Sequence, residues 1–136
     1  VAFVDHTVAE NILKGDSELL VRKAEELGRA LADMKLKTSQ IRNVFGTVRR
    51  IEMSWPRSGA SEGAQREAIH EMLMLKPKLA YQAARARGQD GGEAVVILSQ
   101  SLRPLIERVG TDRDRFQRFV DFFEATLAYH RANGGS

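Results

Sequence analysis

The chain has 136 residues, no cysteine and a formal charge of only +3. That length suits one domain around one core, and the missing cysteines exclude a disulfide scaffold, a thiolate zinc site and a thiol nucleophile while suiting a reducing compartment. No apolar run nears the roughly 20 residues that span a bilayer, so the sequence reads as a soluble, cytoplasmic protein with no membrane partner.

Apolar residues recur at spacings of three and four almost throughout, with no sustained strand alternation. This predicts an all-α, single-domain bundle of about five helices over residues 1–136. Residues 1–15 read as an irregular or marginal amino-terminal segment. Asp16 is placed to cap the first long helix, whose stripe Leu20, Ala24, Leu27, Leu31 and Met34 runs to about Lys35. Thr38 or Ser39 is expected to cap a second helix with Ile41, Val44, Phe45, Val48 and Ile51 inward, ending at the turn Ser54-Trp55-Pro56-Arg57-Ser58-Gly59. Ser58–Gly63, small and polar, is the candidate flexible loop.

A third helix is expected from about Glu62 with Ile69, Met72 and Leu73 inward, broken or kinked at Pro77 and continuing to Arg87 with Leu79, Ala80, Ala83 and Ala86 inward. After the Gly88–Gly92 stop, a fourth helix carries Val95, Ile97, Leu98, Leu102, Leu105, Ile106 and Val109 and is expected to bend around Pro104. Thr111 and Asp114 resemble a capping box opening a last helix with Phe116, Phe119, Val120, Phe123 and Leu127 inward. Residues 132–136 read as a disordered tail.

Charge is unevenly spread. From Lys35 to Arg57 there are six bases against the single acid Glu52, and from Lys76 to Arg87 four bases and no acid. Two basic helices point to a polyanion. Arg42 and Arg49 lie within roughly 20° of each other beside the apolar stripe of their helix, with Asn43, Gly46 and Arg50 on the exposed side. Gly46, costing on the order of 1 kcal/mol relative to Ala, marks a place where another backbone comes close. After Pro77, Lys78 and Arg85 share a face with Tyr81 between them and Gln82 beside it, two cations around an aromatic, which suits phosphate pairing with a ring and an amide available to a sugar or base. The ordinary alternative is a solvated surface with arginines lying over the core edge.

The three histidines have no metal spacing, and no phosphate loop, nucleophile elbow or buried carboxylate pair is present. Neither a metal, a cofactor nor an enzymatic centre is expected.

At its basic segments the sequence resembles the small, all-helical subunit of type III-A CRISPR effector (Csm) complexes. The resemblance is carried by Thr38-Ser39-Gln40-Ile41-Arg42, by Leu75-Lys76-Pro77-Lys78-Leu79-Ala80-Tyr81 with Ala83-Ala84-Arg85, and by Phe119-Val120-Asp121-Phe122-Phe123-Glu124-Ala125 with Ala128-Tyr129-His130. It implies a noncatalytic subunit, stacked in copies beside the subunits that hold the guide, contacting guide RNA and target RNA and the other effector subunits. The RNA-binding residues it implies are Lys37, Gln40, Arg42, Arg49, Arg50, Lys76, Lys78, Tyr81 and Arg85. Aligned along two helices, these bases are expected to form one continuous groove. The Trp55–Gly63 loop and Gln82 depart from the family pattern. A protein-only adaptor, or a homodimer burying Phe122 or Tyr129, is the alternative reading.

Overall fold

The computed structural model describes residues 3–57 and 59–136; Val1, Ala2 and Ser58, the first residue of the expected flexible loop, lie outside the described residues. Among the described residues there are six α-helices and no strand: α1 (His6–Lys14), α2 (Ser17–Asp33), α3 (Arg42–Ser54), α4 (Glu62–Ala86), α5 (Gly92–Val109) and α6 (Arg113–Ala132), with a 3₁₀ turn at Thr38–Gln40.

The sixth helix is α1, in the segment expected to be irregular or marginal. Asp5 caps it by accepting from the Val8 N–H at 2.8 Å, and Gly15, at φ 118°, closes it in the left-handed conformation. Nine residues are too few for a stable isolated helix, so packing must hold this one. Ala9, Ile12 and Leu13 are buried against α5 and α6, and Glu10 forms a two-point ion pair with Arg115 of α6 at 2.7 and 3.1 Å.

α2 and α6 form the tightest pair in the bundle. They run parallel, with Gly15 beside Arg118 at one end and Leu36 beside His130 at the other. Gly28 allows the close approach: a Cβ there would lie 2.6 Å from the Tyr129 Cβ, 2.7 Å from the Thr126 carbonyl oxygen and 2.8 Å from the His130 nitrogen. Phe116, Phe119, Phe122 and Phe123 of α6 are fully buried, and Trp55 stacks on Phe116 at 4.1 Å. Burial of Phe122 removes one of the two aromatics considered for a self-contact; Tyr129 is half-buried.

Several boundaries differ from expectation for local reasons. Asp112, not Thr111, caps α6, accepting from the Arg115 N–H at 3.0 Å. Neither Thr38 nor Ser39 caps an α-helix; they belong to the 3₁₀ turn, and α3 starts after Ile41 with no side-chain cap. Of the two readings at Pro77, a new helix is not what forms, since α4 is continuous through it; α5 is likewise one helix through Pro104, as expected. Each proline leaves unbonded the carbonyl four residues earlier, at Leu73 and Gln100, and both of those residues are exposed. Leu73, expected inward, is 44% exposed, and Ala80 also faces out, because the buried stripe of α4 is Ala68, Met72, Leu75, Leu79, Ala83 and Ala86.

The carboxyl-terminal residues, expected to be disordered, fold back. The Gly135 N–H donates to the His130 carbonyl at 2.9 Å, and the Thr38 N–H donates to the Ser136 carbonyl at 3.1 Å. Buried His130 donates from Nε2 to the Leu36 carbonyl at 2.8 Å, so this end of α6 is fastened to the loop after α2.

Candidate nucleic-acid interface

α3 and α4 pack antiparallel, and the seam between them opens into a cleft. Its larger part, about 540 Å³, is lined by Asn43, Val44 and Thr47 of α3 and by Met74, Pro77, Lys78, Tyr81 and Gln82 of α4. A second part, about 310 Å³, shares Asn43 and Gln82 and adds Ser39, Gln40, Arg85 and Gln89. The register follows from helical spacing. Residues 74, 78, 81, 82 and 85 recur at three and four, and 43 and 47 do the same across the seam.

Tyr81 is 60% exposed, and the Arg85 guanidinium sits 5.9 Å from its ring centroid. Lys78, Tyr81 and Arg85 therefore meet on one wall of the cleft, as their spacing predicts, with the Gln82 amide beside them on α4 and the Asn43 amide across the seam on α3. Gln82 is placed beside this face by sequence, whereas Asn43 and Thr47 are not among the contacts expected from it. Their signal was positional: 43 with 47, and 78 with 82, share the flanks that face each other. The seam changes sign along its length. Near the start of α4 it is lined by Glu67 and Glu71 with Ser54 and Trp55, so only the half near the end of α4 suits a polyanion.

The remaining candidates do not join one continuous groove. Lys76 lies two residues from Lys78, a rotation of about 200° around the helix. It faces α5, where its Nζ is 2.7 Å from a Glu107 carboxylate oxygen that Arg103 also approaches at 3.4 Å. The Lys76 hydrogen bond, assisted by Arg103, holds the Glu107 carboxyl below its usual range despite some desolvation. Arg49 turns toward α6: its Nη1 is 2.9 Å from Glu52 and 2.7 Å from Glu124, and its guanidinium lies 5.0 Å from the Phe45 ring centroid. The hydrogen bond to Glu52, with the Glu124 charge nearby, binds the Arg49 proton more firmly than in a free guanidinium.

Gln40 is also spent inside the fold. Its Oε1 accepts from the Lys37 N–H at 3.0 Å and its Nε2 donates to the Asp90 carbonyl at 2.9 Å, joining the loop before α3 to the loop before α5. Gly91 permits the contact, since a Cβ there would collide with the Lys35 carbonyl oxygen and lie 2.7 Å from Gln40 Oε1. Lys37, Arg42 and Arg50 are exposed, and their side chains make no ion pair among the described residues. Arg42 shares the α6-facing flank with Arg49, whereas Arg50 follows Asn43 and Thr47 on the α4-facing flank.

Among the described residues no three His, Asp or Glu side chains converge as a metal site would require, and no helix is long and apolar enough to cross a membrane. No curated protein sequence and no solved structure matches the chain. The family model described as Csm2 Type III-A matches residues 14–136, from the last residue of α1 to the end of α6 and its tail. The match includes the whole α3/α4 seam and every candidate contact residue. The chain belongs to the Csm2 family and is a structural subunit of the type III-A CRISPR effector complex.

Proposed function

We propose that this chain is a noncatalytic RNA-binding subunit that stacks in copies along the guide and target RNA of the effector and holds the sugar–phosphate backbone. The observation that carries the reading is the division of the bases into two groups. Arg49 and Lys76 are neutralised by partners on α6 and α5, whereas Lys78 and Arg85 flank an exposed tyrosine at a cleft and have no acidic partner among the described residues. A cation without a partner can release counterions from a phosphate on binding; one already paired must first lose its carboxylate.

Backbone contacts carry no sequence information, which suits a subunit serving guides of any sequence. Cleavage would need ligands or a base converging on one point, and this surface offers amides, aliphatic hydroxyls, cations and one phenol.

The test is a salt titration of RNA binding by the full chain and by the assembled effector. Each phosphate contact on a single strand contributes about −0.7 to the log–log slope, so Lys78→Gln with Arg85→Gln should flatten it by roughly 1 to 1.5 units. Arg49→Gln with Lys76→Gln should flatten it by less. Unchanged affinity and slope in the Lys78 and Arg85 variant would refute the assignment and favour a protein-only adaptor.

A further inference from the structure

A glycine that the fold does not require lies in the middle of the basic face of α3. Gly46 has an ordinary helical backbone with no positive φ, and a Cβ built on it would meet nothing within 4 Å. Neither a turn nor close helix packing explains it, although glycine is among the poorest helix formers. Its neighbours at three and four residues on the helix surface are Arg42, Asn43, Arg49 and Arg50. Three cations and an amide thus frame a patch of bare backbone. Arg49 is drawn aside by Glu52 and Glu124, while Arg42 and Arg50 are exposed on either side of the gap. Asn43 stands at the edge shared with the α3/α4 cleft.

We infer that Gly46 is the seat of an RNA sugar–phosphate unit, which comes into contact with the α3 backbone in the space a side chain would fill. Arg42 and Arg50 pair with the phosphates on either side, and Asn43 leads the strand toward the cleft. This rests on the RNA-binding reading and adds where the strand touches and why the position is bare. A helix of another protein is the competing occupant, because Met53, seven residues on, continues the same line and is 89% exposed. The frame favours the phosphodiester, since none of its four residues is acidic and two of its cations have no carboxylate partner among the described residues.

The experiment combines thermal melts with a salt titration of a labelled single-stranded oligouridylate against the full chain. Gly46→Ala should raise Tm by a few degrees, because alanine favours the helix and meets no neighbour. It should nevertheless weaken RNA binding by about threefold with the salt slope unchanged, since no charge is removed. Gly46→Gln, larger and neutral, should weaken binding on the order of tenfold. Arg42→Gln with Arg50→Gln should flatten the slope by roughly 1 to 1.5 units.

Gly46 variants that bind RNA like the wild type, while the arginine variant weakens, would overturn the inference and leave the RNA-binding reading intact. Loss of effector assembly with unchanged RNA binding would give the seat to a protein instead. A fall in Tm for Gly46→Ala would show an internal reason for the glycine and overturn the inference as well. Absence of any RNA binding by the wild-type chain would overturn both readings.

Discussion

Gly28→Ala tests the packing of α2 on α6 more sharply than any core truncation, because two opposite effects can be weighed from the structure. Helix propensity alone favours alanine by about 1 kcal/mol in a helix interior. Against that, the new Cβ would sit 2.6 to 2.8 Å from three atoms of α6, two of which belong to backbone and cannot rotate away. Ordinary contact needs roughly an ångström more, so the two helices must separate or slide. That would disturb the buried phenylalanines of α6 and the His130 hydrogen bond to Leu36.

Overpacking of this kind costs about 1–3 kcal/mol, occasionally more, and contact with fixed backbone places this case at the upper end. The expected net result is destabilisation by about 2 kcal/mol, measured as a lower urea midpoint with an unchanged m-value. The same substitution at Gly46, where nothing is near, should be stabilising. If Gly28→Ala raised the midpoint, the close parallel approach of α2 and α6 would be wrong.

Two other predictions concern polar connections. The Arg115 hydrogen bonds hold the Glu10 carboxyl below its usual range, so the pair's stabilisation is present at neutral pH and is lost as pH falls through that lowered value. The stability gap between wild type and Arg115→Gln, read from denaturant midpoints across pH, should therefore be largest near neutrality and narrow below about pH 4.3. A residue of the gap should persist in acid, since Arg115 also donates to the Arg108 carbonyl at 3.2 Å; a gap that widens in acid would refute the pairing. Gln40→Ala should cost about 1–2 kcal/mol, for two hydrogen bonds, and leave the salt slope of RNA binding unchanged. A flatter slope would return Gln40 to the contact surface.

Long helices were legible because their apolar stripes repeat over about three or four turns, as in α2 from Leu20 to Leu31 and α5 from Val95 to Val109. α1 was not, because nine residues hold only three buried positions and its stability comes from α5 and α6. The α6 cap was displaced by one residue because Thr111 and Asp112 are both plausible caps, and only the observed bond from the Arg115 N–H decides between them. A break at Pro77 is one of two sequence readings because a lost hydrogen bond often ends a helix; the burial pattern shows that loss falling at Leu73, an exposed residue.

The candidate site was legible as charge and not as availability. Spacing alone places Lys78, Tyr81 and Arg85 on one face, since that needs only helical geometry. Whether a base is free depends on acids remote in sequence. Arg49 is met by Glu124, which comes from a helix that begins only at Arg113, and Lys76 by Glu107 near the end of α5.

Gln40 shows the same principle for a polar residue in a family-like motif. Its amide looked free for RNA until Asp90, fifty residues on, supplied the acceptor. The motif residues thus divide by what the fold leaves them: Gln40 sets the entry to α3, Arg49 ties α3 to α6, and Arg42 and Arg50 project from the helix so positioned. A rigid, internally neutralised platform bearing a few uncommitted cations keeps the reach of those cations fixed in space. That is the property a backbone-tracking surface needs, because binding then costs little further ordering of the protein.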